Sequence, residues 1–532
     1  MIVALLPPGP RPGIHHLLRC IRATLLLAGA AGPGLAASAP PDTPTADRLP
    51  PAIAASLARA GIPARSFALW VQPVDQAAPL ASWNAAQPMN PASLLKLVTT
   101  TAALDQLGPA YAWQTPVWLS GVVEHATLRG NLVVRGSGDP SLVIERVWLL
   151  LRHVRELGVQ TIDGDIVLDH GAFAATARTP AEFDGEPSEP YNVQPDALLL
   201  NFKAVTLQFT PDPARGVAHV IAQPALDGVA ADATVRLSEG PCDDWRGRLK
   251  LGVSDPTRWH ATGTYPAACG ERAWPLAYAD PAHYDERLVA ALWRELGGRL
   301  TGSVHAGSGP VDTRPTFEFA SPPLASVVRD VNKFSNNVMA EQIWLTLGAA
   351  RRAGTPAGIA APTEASAAIP ATEPASVSTP AAATASDAHA AILQWLRERV
   401  GVDDEVIVVN GSGLARETRL SARALARVLQ WTWRSPVMPE LLASLPVVGV
   451  DGTLRRANAV PARAHLKTGS MRDVLGVAGV VLGADDHRYV LVALVNDPRA
   501  LGARAVIDAA IQWTQDQGAA APALVPAAVQ NR

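Results

Sequence analysis

The stretch Asn90–Lys96 reads NPASLLK and decides the fold, because it opens a helix predicted to continue to about residue 107. Its asparagine can cap that helix, its proline suits the first helical position, and apolar residues then recur at helical spacing. Ser93 and Lys96 are three positions apart, so the spacing predicts that their side chains stand on one face, one turn apart.

This spacing has a chemical interpretation. A serine hydroxyl is a weak nucleophile and needs a neighbour that takes its proton, and a lysine amine can do so once burial lowers its pKa. Ser93 and Lys96 are therefore a candidate nucleophile and base. A capped surface helix with an incidental serine and lysine carries the same short motif, which is not specific alone.

The scarcity of lysine strengthens the catalytic interpretation. The chain has 40 arginines and only five lysines, Lys96, Lys203, Lys250, Lys333 and Lys467. Arginine stays protonated in proteins, whereas lysine can lose its proton. In a chain that uses arginine almost everywhere for positive charge, a lysine indicates a position where arginine does not serve.

Length and charge limit the classes of protein to consider. At 532 residues the chain is long enough for about two to four domains. The net charge of -3 and the absence of a basic block argue against a nucleic-acid partner. No metal-ligand spacing of His, Cys, Asp or Glu is evident in the sequence, so we expect no metal and no other cofactor.

The first 39 residues are predicted to be a cleavable export signal. Three arginines precede the apolar run 23–31, and Ala37–Ala39 fits a small-residue cleavage site. The run is too short to be a convincing membrane span, and no second apolar span follows, so we expect no stable membrane anchor. The mature protein is therefore expected in a periplasm.

The cysteines fit an oxidising compartment. Cys20 would leave with the signal, and in such a compartment Cys242 and Cys269 can pair within the chain only with each other. Two unpaired buried thiols are the alternative.

The remaining chain divides by its pattern. We expect a first catalytic part at 40–114, a mostly-β insertion at 115–284, and a second catalytic part at 285–518. An Ala/Pro/Thr/Ser-rich stretch at 350–385 is predicted to be a disordered linker, and 519–532 a tail.

Two more short motifs follow the first in chain order. They are Ser335-Asn336-Asn337 and Lys467-Thr468-Gly469, and three of the five lysines lie inside or next to the three motifs. Each is ambiguous alone, since Ser-Asn-Asn is typical of a turn and Lys-Thr-Gly of a strand end. Together and in this order, they are the set found in active-site-serine penicillin-binding proteins and β-lactamases.

The chain resembles the class C low-molecular-mass penicillin-binding proteins, the D-alanyl-D-alanine carboxypeptidase/endopeptidase family S13. The supporting segments, which span about residues 50 to 515, are Pro91–Thr99, Gly136–Pro140, Asn332–Asn337, Gly411–Leu414, Asp451–Leu454 and Lys467–Gly469. Asn410 replaces the Asp usual before Gly-Ser-Gly-Leu, a departure attributed to turn chemistry. The resemblance implies an α+β fold: a penicillin-binding, serine β-lactamase-like transpeptidase domain with an antiparallel sheet flanked by helices. It also implies that the insertion at 115–284, between the first two motifs, forms two small accessory domains.

The resemblance also implies a reaction and its nucleophile. Ser93 would attack the D-Ala–D-Ala bond of a peptidoglycan stem peptide and form an acyl-enzyme, with Lys96 as base. Penicillin and other β-lactams would acylate the same serine and act as inhibitors. Ser335 would relay the proton to the leaving amine, and Asn337 would hold the substrate amide or Lys96.

Substrate-binding roles are implied for the third motif and two outlying positions. Lys467, Thr468 and Gly469 would face the terminal carboxylate, and the backbone N–H groups of Ser93 and Ser470 would form the oxyanion hole. The positions that resemble contacts to the diaminopimelate side chain are Asp169 and Arg416; a turn Asp and a surface Arg are the structural alternatives.

Two rival functions stay open at this point. A β-lactamase or esterase of the same superfamily would use the same serine, but a β-lactamase often has a dedicated Glu for deacylation, and the sequence does not single one out. A non-catalytic cell-wall-binding protein would keep the pocket without the chemistry.

Overall fold

The structure is a computed structural model that describes residues 49–176, 178–354, 382–402, 406–457 and 459–518. The predicted signal peptide, the tail and most of the predicted linker at 350–385 lie outside the described residues. Within the part that is described, no helix combines the length and the apolar character that crossing a bilayer requires.

The described residues form the following helices. The α-helices are α1 (Pro51–Ala60), α2 (Leu95–Leu107), α3 (Ile144–Glu156), α4 (Tyr284–Glu295), α5 (Leu324–Phe334), α6 (Asn337–Arg352), α7 (Ala385–Trp395), α8 (Ala422–Trp433), α9 (Met438–Ser444) and α10 (Arg504–Gln515). The short 3₁₀ turns are Ala64–Ser66, Ala92–Leu94, Pro190–Asn192, Asn201–Lys203, Ala267–Cys269, Gly452–Leu454 and Ala500–Gly502, and a π-helical turn, Leu396–Val400, extends α7.

The strands of the described residues range from two to eleven residues in length. They are β1 (Phe67–Pro73), β2 (Ala81–Trp83), β3 (Pro88–Met89), β4 (Gln114–Glu124), β5 (Thr127–Arg135), β6 (Thr161–Asp163), β7 (Ile166–Asp169), β8 (Ala204–Asp212), β9 (Val217–Gln223), β10 (Ala230–Ala231), β11 (Thr234–Ser238), β12 (Leu249–Gly252), β13 (Arg258–Pro266), β14 (Arg272–Ala277), β15 (Arg299–Leu300), β16 (Val304–Ala306), β17 (Phe317–Ala320), β18 (Leu420–Ser421), β19 (Ala464–Met471), β20 (Val474–Leu482) and β21 (Arg488–Asn496).

The catalytic part is built on a five-stranded antiparallel sheet in the order β19-β20-β21-β1-β2. Alternate residues of each strand face opposite sides: Leu69 and Ala493, paired across β1 and β21, enter the core formed with α1 and α10. Their neighbours Ala68 and Leu494 enter the core formed with α2, α5, α6 and α8. Because both faces are covered, the strands are almost continuously apolar, and the predicted antiparallel sheet flanked by helices is confirmed.

Helix α2 runs through the middle of this core. Its first ten residues, from Leu95 to Leu104, are all buried, so this stretch has no face exposed to solvent. The helix begins later than predicted, because the segment Ala92–Leu94 forms a 3₁₀ turn before it. The Thr99 hydroxyl donates to the Gly411 carbonyl at 2.7 Å, and the Thr100 hydroxyl donates to the Lys96 carbonyl at 2.7 Å. The start of α2 is therefore fixed from several sides.

The inserted region forms two further sheets around one core. One sheet has the order β15-β6-β5-β4-β17 with β7 and β16 alongside, and the other has the order β10-β13-β11-β9-β8-β14 with β12 paired to β13. Helices α3 and α4 pack into the same core through residues such as Leu151 and Leu288.

The predicted end of the insertion at 284 requires correction. Helix α4 was expected to lead back to the catalytic part, but its buried residues Leu288 and Leu292 belong to the core of the insertion. The later strand β17 pairs with β4, and β16 pairs with β7. Since these strands complete the sheet begun at Gln114, we propose that the insertion ends near residue 320.

Cys242 and Cys269 form a disulfide within this insertion. It joins the segment before β12 to the 3₁₀ turn after β13. The bond lies beside an aromatic cluster in which Trp245 packs edge-on against Tyr265. The structure thus contains the pairing that the sequence left as one of two alternatives.

Candidate active site

Ser93 lies in the 3₁₀ turn that precedes α2, and Lys96 lies in the first turn of the helix itself. The Lys96 Nζ is 2.8 Å from the Ser93 Oγ. The preceding Ala92 has a φ of 46°, in the left-handed region, which is strained for a residue with a side chain. The Asn90 side chain supports this turn by accepting a hydrogen bond from the Ala92 N–H at 2.8 Å.

The amine of Lys96 is completely buried and has three oxygen partners. Besides the Ser93 hydroxyl, it donates to Asn337 Oδ1 at 2.7 Å and to the Ser412 carbonyl at 2.8 Å. Burial lowers the pKa of Lys96 well below its usual value, the charge of Lys467 lowers it further, and Glu341 acts in the opposite direction. A buried amine in this environment can be neutral at physiological pH and can accept the serine proton.

Ser335 and Asn337 flank the junction between α5 and α6. Ser335 has a φ of 59°, so the chain turns sharply there, and Asn336 caps α6 by accepting a hydrogen bond from the Met339 N–H. This geometry brings Asn337, at the first position of α6, to Lys96. The Asn337 Nδ2 donates to the Tyr191 carbonyl at 3.1 Å, which fixes the orientation of the amide.

The third motif lies on the edge strand β19. The Lys467 Nζ donates to the Ser335 Oγ at 2.8 Å, and burial lowers the pKa of Lys467 to about 7. The Thr468 hydroxyl donates to the Thr453 hydroxyl at 2.8 Å. A Cβ at Gly469 would lie 2.7 Å from the Pro91 carbonyl oxygen. Glycine therefore allows this strand to approach the turn that carries the serine.

Ser470 follows on the same strand and is exposed. It pairs in register with Leu475 of β20, and its neighbour Gly469 is packed against the turn of Ser93. Residues 467–470 thus lie together on the edge strand β19, which packs through Gly469 against the turn that carries Ser93.

The turn that begins at Asn410 completes the surroundings of Lys96. The Asn410 Oδ1 accepts hydrogen bonds from the Ser412 N–H and the Gly413 N–H, at 3.1 and 2.9 Å. An asparagine thus serves the turn chemistry that we expected at this position. The turn presents the Ser412 carbonyl to Lys96, a role that the sequence alone did not reveal.

Glu341 is a buried carboxylate that sequence reasoning missed. It lies on α6, one turn after Asn337, and its Oε1 accepts a hydrogen bond from the Ser412 Oγ at 2.8 Å. Its Oε2 pairs with Arg178 at 2.6 Å. Both carboxylate oxygens are occupied and neither contacts Ser93, so Glu341 is not placed as a deacylation base. The i, i+4 spacing from Asn337 was the available signal.

The two outlying residues occupy different places. Arg416 lines a cavity of about 190 Å³ that Arg178 and Glu341 also line. Its guanidinium carbon lies 5.1 Å from the centre of the Phe183 ring, a cation–π contact. Asp169 instead ends β7, where its carboxylate pairs with Arg135 at 2.8 Å and accepts hydrogen bonds from the Gly309 and Gly171 N–H groups. The structure therefore brings Arg416, but not Asp169, to the cavity beside the motifs.

One acidic cluster has metal-like geometry although its members are distant in sequence. Among the described residues, His170, Asp196 and Asp285 lie close enough to hold an ion. The Lys203 Nζ, however, lies 2.6 Å from Asp196 and 3.2 Å from Asp285. This ammonium group contacts both carboxylates, His170 lies 2.6 Å from Asp196, and burial raises the pKa of Asp285 to about 7, so the members of the cluster compensate one another without an ion.

The chain matches the D-Ala-D-Ala carboxypeptidase 3 (S13) family over residues 49–369 and 374–517. It is 23% identical over 428 residues to the D-alanyl-D-alanine carboxypeptidase DacB of Haemophilus influenzae, covering 80% of this chain and 84% of the relative. It is 27% identical over 441 residues to a D-alanyl-D-alanine carboxypeptidase of an Actinomadura species, covering 79% and 75%.

The fold is similar to a solved structure. The crystal structure of penicillin binding protein 4 from Haemophilus influenzae matches with a TM-score of 0.67 and 19% identity, over 86% of this chain and 98% of that chain. A second crystal structure of that protein, complexed with a β-lactam, matches with a TM-score of 0.60 and 20% identity, over 81% and 89%. The similarity extends over the inserted sheets as well as the central one.

Proposed function

We propose that this chain, which belongs to the D-Ala-D-Ala carboxypeptidase 3 (S13) family, is a serine-type D-Ala-D-Ala carboxypeptidase that acts on peptidoglycan stem peptides through an acyl-enzyme at Ser93. The observation that carries the proposal is the 2.8 Å contact between the Ser93 Oγ and the fully buried amine of Lys96. A DD-endopeptidase reaction would use the same acyl transfer, because it differs only in the leaving amine.

Acylation begins with proton transfer. Neutral Lys96 takes the proton of the Ser93 hydroxyl as the oxygen attacks the carbonyl carbon of the penultimate D-Ala. The negative charge that develops on the carbonyl oxygen is stabilised by the backbone N–H groups of Ser93 and Ser470. The close approach of Gly469 to the Pro91 carbonyl supports this pairing, because it brings the two backbone segments together.

Departure of the terminal D-Ala requires a proton on its amine. Ser335, which is held by a hydrogen bond from Lys467, relays it: the Ser335 hydroxyl protonates the amine and takes in return the proton that Lys96 removed from Ser93, so Lys96 is neutral again. Protonated Lys467, with the Thr468 hydroxyl, binds the carboxylate of that D-Ala. Asn337 holds Lys96 through its Oδ1. Water then attacks the ester carbonyl while neutral Lys96 takes its proton, and Lys96 returns that proton to the Ser93 oxygen as the ester bond breaks.

β-Lactams enter the same pathway. A β-lactam carbonyl takes the position of the D-Ala carbonyl, Ser93 opens the ring, and the opened ring stays attached in place of a departing D-Ala. The product is an acyl-enzyme whose mass exceeds that of the protein by the whole drug.

The site of action that we propose is a periplasm. The basic and apolar pattern before Ala39 supports export through a cleaved signal, and the disulfide between Cys242 and Cys269 is suited to an oxidising compartment. The N-terminal sequence of the exported protein tests this directly, with Pro40 expected as the first residue.

The function is tested by intact-mass spectrometry after brief incubation with benzylpenicillin, together with release of D-Ala from a peptide ending in D-Ala–D-Ala. We expect one drug adduct per chain and D-Ala release, both lost in Ser93→Ala and both kept in Ser120→Ala, which alters an exposed serine on β4. Rapid drug hydrolysis without a lasting adduct would support a β-lactamase instead. Neither adduct nor hydrolysis would favour a non-catalytic binding protein.

A further inference from the structure

A buried charge on α6 lies behind the base of the proposed reaction. Glu341 is only 4% exposed, and two hydrogen bonds separate it from Lys96: Lys96 donates to the Ser412 carbonyl, and the Ser412 hydroxyl donates to Glu341. Ser412 is itself completely buried, so solvent does not screen the electrostatic interaction between Glu341 and Lys96 at this point.

Two charged groups face Lys96 from the elements packed around it. Lys467 approaches from β19 and Glu341 from α6, and they act on the pKa of Lys96 in opposite directions. A charge a few ångströms away in a buried site has a large effect, because the local dielectric constant is far below that of water.

Glu341 has its own cationic partner at the surface. Arg178 pairs with it at 2.6 Å, and the side chain of Arg178 is 30% exposed whereas that of Glu341 is 5% exposed. The cavity that both line is also lined by the charged residues Glu182, Arg416 and Glu417. Arg178, which lies at the edge of this cavity, thus reduces the electrostatic effect of Glu341 on Lys96.

We propose that Glu341 is a positioning residue for Lys96, which acts across Ser412 to favour the protonated amine, and that Arg178 limits this effect. The inference rests on the function proposed above. Lys467 makes the amine easier to deprotonate before the attack, whereas Glu341 stabilises the ammonium that forms once the serine proton has been taken. Their balance sets the strength of the base.

The test is the pH dependence of the acylation rate constant, measured with a fluorescent penicillin. Acylation needs neutral Lys96, so the rate rises with pH through the pKa of that amine. Glu341→Gln keeps an oxygen for the Ser412 hydroxyl but removes the charge. We expect its acid limb to move to lower pH by about one unit, with a lower plateau because the base is weaker.

Arg178→Gln gives the opposite result and an independent measurement if Glu341→Gln does not fold. It leaves the charge of Glu341 unopposed, so the acid limb is expected to move to higher pH. Glu417→Gln, which removes an exposed carboxylate from the same cavity, is the matched control and should leave the profile unchanged.

The outcomes separate the inference from the function on which it rests. If benzylpenicillin does not acylate Ser93 in the unaltered protein, the proposed function fails. If Ser93 is acylated but the two variants merely slow the reaction equally at every pH, Glu341 and Arg178 have a structural role only, and the inference is overturned. Opposite shifts of the two acid limbs support it.

Discussion

The Lys467 Nζ donates to the Ser335 Oγ at 2.8 Å, although 132 positions separate the two residues in the chain. The same contact, at the same distance, joins Lys96 to Ser93. The site therefore contains two serine–lysine pairs, and both amines are fully buried. Two ammonium groups close together repel each other, and the pKa of Lys96 is lowered by burial and by the charge of Lys467, whereas that of Lys467 is lowered by burial. We therefore propose that Lys96 is the base and Lys467 the cation.

The first prediction concerns the base. Lys96→Met keeps an unbranched buried side chain but removes the amine, so the rate of acylation by benzylpenicillin should fall by about 10²–10⁴-fold. Lys250→Met removes an exposed lysine on β12 and should leave the rate unchanged. The rate is measured by mass spectrometry of the adduct over time. Acylation of Lys96→Met at the original rate would contradict the role of this amine.

The second prediction follows from the pKa of Lys467, which burial lowers to about 7. The amine is charged below that pH and neutral above it, and only the charged form binds a carboxylate well. For a peptide ending in D-Ala–D-Ala, kcat/KM should therefore fall above about pH 7, by up to about tenfold per pH unit.

A matched substrate isolates this effect. The same peptide with an amide in place of its terminal carboxylate should bind more weakly at low pH and lack the additional alkaline decline. Parallel profiles for the two peptides, measured by release of the C-terminal residue, would mean that Lys467 does not bind the carboxylate.

Local spacing made the first part of the site predictable. Three positions make nearly one helical turn, so the approach of Ser93 to Lys96 follows from the sequence once a helix is recognised. The apolar runs of β20 and β21 likewise indicate strands buried on both faces. In both cases the pattern that predicts the structure lies within about ten consecutive residues.

The features that were missed depend on contacts between distant segments. Glu341 meets Ser412 only because α6 packs beside the turn that begins at Asn410, and nothing in either segment alone indicates this. The later end that we propose for the insertion likewise rests on β17, which returns to pair with β4. Asp196 and Asp285 meet at Lys203 for the same reason. Hydrophobic periodicity reports local secondary structure and does not indicate which distant segments will pack together.

The third prediction concerns stability near the second motif. Lys333 pairs with Asp451 at 2.6 Å; the side chain of Lys333 is 6% exposed and that of Asp451 is 40% exposed. Asp451→Asn leaves a buried ammonium with a weaker partner, so the free energy of unfolding should fall by about 1–2 kcal/mol at pH 7. Asp486→Asn, which alters an 89% exposed carboxylate, should change it little.

The pH dependence of this difference gives a second check. Burial raises the pKa of Asp451, but hydrogen bonds from Lys333 and the Val447 N–H lower it by more, so that the value lies below the usual one. The stabilisation is therefore present above the pKa of the unfolded chain, about 4, and is lost as pH falls through the folded-state value. Urea unfolding curves of Asp451→Asn and the unaltered protein should converge in acid. If the difference in unfolding free energy between the two proteins stayed constant with pH, the ion pair would not be its source.

The fourth prediction concerns the contact between two turns. Gly413 has a φ of 81°, and a Cβ there would lie 2.0 Å from the Ala92 carbonyl oxygen, next to Ser93. Gly413→Ala should therefore cost about 2–4 kcal/mol of unfolding free energy, from backbone strain and overpacking together. Because the same turn presents the Ser412 carbonyl to Lys96, the acylation rate should fall as well.

Gly158→Ala separates these two causes. Gly158 has a φ of 93°, but no atom lies within 4 Å of the added Cβ, so this variant carries the backbone strain without the clash. It should lose only about 1 kcal/mol and keep its full rate of acylation. Both quantities are measured on the same preparations, by urea unfolding and by adduct formation with benzylpenicillin. If Gly413→Ala lost no more than Gly158→Ala in either measurement, the close packing of the two turns would not be needed to hold Lys96 beside Ser93.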